Sequence, residues 1–368
     1  MGVDKIKRKL TRSIHVGGLI IGGSAPVVIQ SMTSTDTSDV GKTREQIFKL
    51  AEAGCELIRV AIPDENAVKA LKKLVAGSPV PLVADIHFDA RLAYMAIENG
   101  AAKIRINPGN IGGTGKLLEL AGMADKYKVP IRIGVNAGSL NKKILQKYGG
   151  PYSAALVESA LAYLEVLEAD GFSNFVVSLK SSDVYTTISA YRLFSEKRDY
   201  PLHIGITEAG TIQTGIIKGA IGTGTLLAEG IGDTIRISLT ASPVEEVITA
   251  RCILQSLGLR IFGPELIACP TCGRCTVDLI NLANSAEQLL KNYSIPIKVA
   301  VMGCAVNGPG EAKEADIGIC AGKKRGMLFK HGKVVKTVKQ EKLLEVLKEE
   351  LDNETGRYNR QKKQGGPK

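Results

Sequence analysis

Short apolar, β-branched runs recur at a regular beat through residues 26–240. They read as strands at 26–32 (PVVIQSM), 55–62 (CELIRVAI), 81–86 (PLVADI), 101–107 (AAKIRIN), 130–136 (PIRIGVN), 174–180 (NFVVSLK), 201–207 (PLHIGIT) and 234–240 (TIRISLT). Their mean spacing is about 30 residues, the length of one βα unit. Between them, apolar residues fall at helical spacing in TREQIFKLAEAG, ENAVKALKKLVAG, DARLAYMAIENG, SAALVESALAYLEVLEADG and PVEEVITARCILQSLG. Gly54, Gly77, Gly100, Gly171 and Gly258 close these patterns, as glycine commonly does at a helix C-terminus. Eight strand–helix repeats within residues 1–258, with no obvious edge strand, predict a (β/α)8 TIM barrel over an open doubly wound sheet.

The predicted strand ends are polar where a barrel interior is normally Val, Ile and Leu. Arg59 sits near the end of the second strand, and Asp85 and His87 at the end of the third. Arg105 and Asn107 follow on the fourth, Arg132 and Asn136 on the fifth, and Lys180 on the sixth. His203 and Glu208 belong to the seventh, Arg236 and Ser238 to the eighth. Polar side chains at the C-terminal rim are where such barrels bind and react. Cations converging there from five strands need an anionic partner, and arginine forks and lysine suit phosphate or diphosphate oxygens. The glycine-rich stretches RINPGNIGGTG and IGTGTLLAEGIGDT are expected to add backbone N–H groups near helix starts.

After Gly258 the beat stops. GLRIFGPELIACPTCGRC reads as a Gly/Pro-punctuated linker into a small α+β domain spanning 259–352. That domain is predicted to hold a helix near 277–292, a strand at 295–303, a basic strand pair at 327–337 and a helix at 339–351. Residues 353–368 read as a disordered basic tail. A domain this small gains from a metal centre. Cys269, Cys272 and Cys275 form C-x2-C-x2-C, and Cys304 lies 32 residues past Cys272. Four thiolates suit a structural zinc or a [4Fe–4S] cluster, and spacing alone does not choose between them. Cys55, Cys252 and Cys320 read as small apolar packing residues.

The formal net charge is +11, yet residues 1–12 carry +4 and 356–368 carry +5, which leaves +2 for the body. A groove binder would show a basic stripe on the folded body, so a nucleic-acid partner is not expected. No apolar run approaches the roughly 20 residues of a membrane span. The N-terminal segment lacks an apolar signal core, and a cytoplasmic protein with reduced cysteines is expected. Two other readings remain. One is a zinc-stabilised nucleic-acid binder using its basic ends, and the other a phosphate-binding barrel lyase or transferase with a structural zinc domain.

Several long motifs carry a resemblance: VVIQSMTSTDTSD, VADIHFD, RINPGNIG, IRIGVNAGSL, LHIGITEAG, ACPTCGR and VMGCAVNGPGEAKEADIGI. Together they resemble the 4-hydroxy-3-methylbut-2-enyl diphosphate synthases, in the bacterial two-domain form, from about residue 8 to about residue 345. The resemblance implies a [4Fe–4S] cluster held by Cys269, Cys272, Cys304 and Glu311; Cys275 departs from the family pattern and is either a competitor for the unique iron or, the favoured reading, a neighbour with no ligand role. It implies reductive ring opening and dehydration of 2-C-methyl-D-erythritol 2,4-cyclodiphosphate, with ferredoxin or flavodoxin as electron donor. Arg59, Arg105, Arg132, Lys180 and Arg236 would hold the diphosphate, and Asn107, Asn136, Ser238 and Asn307 would orient it. Glu208 would handle protons near the leaving hydroxyl, and Glu311 would give way to substrate. Asp85, His87 and His203 are further candidates for contact, the last equally a barrel-core histidine. The resemblance also implies a homodimer whose site is shared between chains.

Overall fold

The structure of the chain, a computed structural model, describes residues 5–150, 152–275, 277–304, 315–322 and 325–364. The chain divides into two compact units, Met1–Arg260 and Ile261–Lys368.

In the first unit eight strands lie in order along the chain: β3 (Val28–Met32), β4 (Leu57–Ala61), β5 (Leu82–Ile86), β6 (Lys103–Ile106), β7 (Ile131–Asn136), β8 (Phe175–Lys180), β9 (His203–Ile204) and β10 (Thr234–Ile235). They form one sheet in the order β8-β7-β6-β5-β4-β3-β10-β9. All of its ladders are parallel. An isolated parallel bridge, Val177 to Leu202, joins the two ends and completes the ring. The last two strands are shorter than their apolar runs. Their remaining residues run on as rim loops, Thr207 donating to the Ser181 carbonyl (3.3 Å) and Thr240 to that of Gly210 (2.9 Å).

Side-chain caps start the helices. Asp39, Asp64, Asp89 and Asp183 accept backbone N–H groups at the starts of α1 (Val40–Glu52), α2 (Glu65–Gly77), α3 (Ala90–Glu98) and α7 (Val184–Lys197). Each satisfies a donor that the helix itself leaves open. Gly54, Gly100, Gly171 and Gly258 take positive φ at helix ends as expected, whereas Gly77 is the last helical residue and Ser78 caps in extended conformation. The unit also holds α4 (Thr114–Lys126), α5 (Lys142–Tyr148), α6 (Ser153–Ala169), α8 (Ile212–Ala228) and α9 (Pro243–Ser256).

Helix α8 corrects one expectation. The stretch IGTGTLLAEG lies within and just past this helix, so its glycines are not an anion-binding helix start. Gly222 within it, like Gly215 earlier on the same helix, makes a packing contact instead. A Cβ at Gly222 would overlap Ile206, and one at Gly215 would overlap Leu239. Cys252, expected to pack in the core, is exposed on α9, while Cys55 and Cys320 are buried.

A hairpin that the sequence pattern did not reveal, β1 (Ile14–Val16) and β2 (Leu19–Ile21), turns at Gly17 with φ +58°. Its Ile14, Val16 and Ile21 pack against Val28, Leu57, Val83 and Val176. Those four side chains come from four strands of the ring, so they mark its interior, and the hairpin plugs the end where the strands begin. The preceding segment is pinned there by Arg8, whose guanidinium pairs with Asp233 at 2.8 Å. The open end is therefore the C-terminal rim.

The second unit is a mixed five-stranded sheet, β11 (Glu265–Ala268), β12 (Lys298–Met302), β13 (Ile317–Cys320), β14 (Arg325–Lys330) and β15 (Lys333–Lys339), in chain order. The first three run parallel and the last two are antiparallel to their neighbours. Strand β11 lies within the segment read as a linker. Helices α10 (Leu279–Leu290) and α11 (Leu343–Lys363) cover one face through Ala286, Leu290, Val346, Leu347 and Leu351 against Val299, Val301, Ile317 and Ile319. Helix α11 overturns the expected disorder of residues 353–363. Lys330 bridges Glu350 (2.5 Å) and Glu354 (2.7 Å), and the Tyr293 hydroxyl donates to Asp352 (2.8 Å). These contacts tie the polar turns back to the sheet.

The plug gives a stability prediction. Ile21 is fully buried, so Ile21→Ala should cost about 2–5 kcal/mol. Urea denaturation of the parent and the variant measures it.

Candidate functional site

The interior face of the ring is fixed by register. In a parallel ladder, paired residues point the same way. Asp85 pairs with Arg105, Arg105 with Arg132, and Asn136 with Lys180. Val83, an interior residue by its packing, pairs with Arg59 and Lys103. These basic side chains therefore share the barrel interior. Glycines leave room for two of them: a Cβ at Gly134 would stand 3.1 Å from the Arg105 Nε, and one at Gly205 would stand 2.7 Å from the Lys180 Nζ.

Asp85 is the hub. Arg105 Nη1 donates to its Oδ1 at 3.0 Å, His87 Nε2 lies 3.4 Å from Oδ2, and Arg59 Nε lies 3.7 Å from the same oxygen. Burial alone would raise this carboxyl. Arg59, the His87 hydrogen bond, Arg105 and Arg132 outweigh it and hold the group well below the usual carboxylate range. The cations respond in the opposite direction. Burial, and then repulsion from Arg236 and Arg105 against the pull of Asp85, leaves Arg59 at about 9. Burial, with repulsion from Arg132, Arg236, Arg59 and Arg105, pushes Lys180 well below its ordinary value. Arg132 is pushed down in the same way, by burial first and then by Arg59 and Arg105.

Arg236 is held differently. Its Nε and Nη2 each reach Glu246 at 3.2 Å, and Glu246 also accepts from the Ser31 hydroxyl (2.8 Å) and the Leu239 N–H (3.1 Å). The Met32 sulfur lies between Arg59 (3.0 Å) and Arg236 (3.7 Å). Buried donors remain without a partner among the described residues: Arg105 Nε, Arg132 Nε and Nη1, and Lys103 Nζ. Such atoms are costly to leave unmet. A surplus of donors and positive charge in one enclosed rim is built to accept a polyanion.

The other predicted residues sit around this cluster. Asn107 donates to the Ser139 hydroxyl (2.8 Å), which donates to the Asn136 carbonyl (3.1 Å), so the loops after β6 and β7 are tied together. Glu208 is exposed and takes φ +53°, a left-handed conformation rare outside glycine. Ser238 is half-buried in the loop after β10. His203 is wholly buried, with Nδ1 2.7 Å from the Thr234 hydroxyl and a ring held neutral by burial and then by Lys180 and Arg132. Glu246, Met32, Ser139 and Lys103 were not singled out from sequence. Lys103 alone carried a signal, since it continues the alternation of Arg105 and Asn107.

In the second unit the thiols gather at one end of the parallel strands. Cys269 follows β11, Cys304 follows β12, and Cys320 ends β13. The Gly303 N–H donates to the Cys269 Sγ at 3.2 Å. The Cys275 Sγ lies so close that a Cβ at Gly303 would stand 2.8 Å away, and Cys275 donates to the Val277 carbonyl at 3.3 Å. Cys272 is exposed. Burial, then Cys304 and Cys269, pushes the Cys320 thiol up to about 11. Among the described residues no three His, Cys, Asp or Glu side chains are gathered as one metal ion would need. Glu311 and Asn307 lie outside the described residues. The donors fit a soft-metal or iron–sulfur group in kind, being thiols at strand ends with a backbone N–H aimed at sulfur.

Residues 11–251 match the family model of the GcpE TIM-barrel domain, and residues 265–353 match that of the GcpE protein C-terminal domain. The chain is 54% identical over 353 residues to a 4-hydroxy-3-methylbut-2-en-1-yl diphosphate synthase (flavodoxin) of Lawsonia intracellularis, covering 96% of this chain and 98% of that one. It is 58% identical over 345 residues to the protein of that name from Caldanaerobacter subterraneus, covering 94% and 97%. A third relative of that name, from Brevibacillus brevis, is 52% identical over 346 residues, covering 94% and 96%.

Asp85→Asn removes the carboxylate that faces both Arg59 and Arg105. At pH 7 it should destabilise the chain by about 3–5 kcal/mol. Because the folded carboxyl is depressed, its contribution is full above about pH 4 and fades as the pH falls from there toward the folded value. Urea denaturation at pH 7 and pH 3 should show the gap between parent and variant narrowing at the lower pH.

Proposed function

The chain belongs to the family of 4-hydroxy-3-methylbut-2-en-1-yl diphosphate synthases, and from that membership we propose how its own residues divide the work. It is an iron–sulfur oxidoreductase of the non-mevalonate isoprenoid pathway. It converts 2-C-methyl-D-erythritol 2,4-cyclodiphosphate into 4-hydroxy-3-methylbut-2-enyl diphosphate by reductive ring opening and dehydration.

The observation that carries the division of labour is the surplus of unmet buried donors around Asp85. Arg59, Arg105, Arg132 and Lys180 bind the cyclic diphosphate, and Arg236 adds its Nη1, its other nitrogens being held by Glu246. Asp85 does not meet the substrate's charge. It fixes Arg59 and Arg105, and it orients His87 toward the ring. Asn107 and Asn136, tied through Ser139, orient the substrate with Ser238 and Asn307. His203, neutral and bonded to Thr234, forms the floor. Glu208 delivers a proton to the departing hydroxyl from an exposed loop, which lets it exchange protons with solvent between turnovers.

Cys269, Cys272, Cys304 and Glu311 would hold a [4Fe–4S] cluster, with Cys275 a neighbouring thiol. When bound, that cluster supplies single-electron transfer to the substrate. Flavodoxin is the donor, as in the names of the relatives. The working unit is a homodimer in which one protomer's thiol domain completes its partner's barrel. Support comes from where the chain leaves the ring. Arg260 bonds the Val27 carbonyl (3.1 Å) and Glu56 (2.6 Å) beside the start of β3, at the plugged end opposite the rim.

Three measurements test this. Protein purified without air should contain iron and sulfide and should bleach in air, whereas stoichiometric zinc without iron would exclude the reading. Lys180→Ala and Cys269→Ser chains, each inactive alone, should recover partial activity when mixed as heterodimers, and no recovery counts against a shared site. Anion binding should also draw protons. Lys180 and Arg132 lie below their ordinary values because burial and the neighbouring cations disfavour their charged forms, and a bound diphosphate reverses that. Calorimetric titration with the cyclic diphosphate, in buffers of different ionisation enthalpy at alkaline pH, should show net proton uptake and an affinity that falls as pH rises.

A further inference from the structure

Lys103 adds one unmet donor to the interior cluster and is not among the residues assigned above to the diphosphate. It lies two residues before Arg105 on β6, so both side chains point into the ring. On that strand it stands one inward-facing step nearer the plugged end than Arg105. Lys103 is 0% exposed, and its Nζ bonds to no described residue. Two neighbours in the interior share this condition. Gln30, 2% exposed and two residues before Met32 on β3, leaves both amide atoms unbonded. His203, 0% exposed, leaves its Nε2 unbonded.

A lysine kept for structure would bury its ammonium against a carboxylate or several carbonyls. Here the charged groups that act on it are Arg132 and Arg59, both cations, and burial together with their repulsion pushes it well below its ordinary value. Among those cations this side chain is a liability, and an apolar residue of similar length would be easier to bury. The arrangement makes sense only when the barrel is filled.

We propose that Lys103 is a positioning residue for the cyclic diphosphate. It points into the same interior as Arg59 and Arg132, and it adds a positive charge beneath the cyclic diphosphate that steadies the dianion against those arginines. The inference rests on the substrate reading above and adds a residue to it.

The test pairs affinity with stability. Lys103→Met and Lys103→Gln are made in the full chain and purified without air, with no reductant present so that no turnover occurs. Thermal unfolding without ligand and calorimetric titration with the cyclic diphosphate are then measured. Lys103→Met should unfold at the parent's temperature or above it, while both variants bind about tenfold more weakly or worse. Variants that bind like the parent overturn the proposal, and so does weaker binding that merely tracks a lowered unfolding temperature. A parent that fails to bind the cyclic diphosphate overturns the substrate reading itself, an outcome distinct from parent binding with unaffected variants.

Discussion

Repulsion among cations held inside the barrel is the constraint on which the rest of the structure turns. Arg59, Lys103, Arg105, Arg132 and Lys180 share an interior where Asp85 is the carboxylate in direct contact, the Glu246 carboxylate being committed to Arg236. Like charges about 7 Å apart cost about 2 kcal/mol per pair at an effective dielectric constant of about 20. A fold can carry such a cost only if the rest of the barrel is secure. The apolar floor of Val28, Leu57, Val83 and Val176 under the hairpin supplies part of that security, and the capped helices around it supply more. The two ends of the ring are thus complementary: one is dry, apolar and plugged, and the other is cationic and open.

Small residues at the rim serve the same end. Gly134 is needed for space, because a side chain there would crowd Arg105, and at Gly205 a Cβ would strike the Arg236 carbonyl at 2.3 Å as well as crowd Lys180. Asp85 then sets direction. By holding Arg105 at 3.0 Å and Arg59 at 3.7 Å it limits where two long, flexible side chains can go. Donors fixed in advance bind an anion without the entropy loss of ordering them at the moment of binding.

Much of this is legible in the sequence because a strand's period of two is strict. Apolar runs at a steady beat locate all eight barrel strands, and polar residues at their ends single out Arg59, Asp85, Arg105, Arg132 and Lys180. What the pattern hides, it hides for physical reasons. Glu246 lies in the first turn of a helix, where an acid is expected to face solvent and favour the helix dipole. Helix α8 is so rich in glycine and threonine that local propensity argues for a loop, and only packing against Ile206, Ile237 and Leu239 makes it a helix. The turns of α11 beyond residue 352 are polar on composition alone, and their anchors, Lys330 and Tyr293, are distant in sequence. The plug hairpin has two three-residue strands, too short for periodicity to register.

The surplus of cations also bears on the chemistry. The substrate is already a dianion, and the reaction adds electrons to it. In a poorly solvated barrel, each added negative charge would be opposed by the two phosphates unless fixed positive charge stood nearby. Cations arranged before the substrate arrives remove that penalty without reorganising during the reaction. On this view the diphosphate is held by the same groups that make its carbon skeleton reducible.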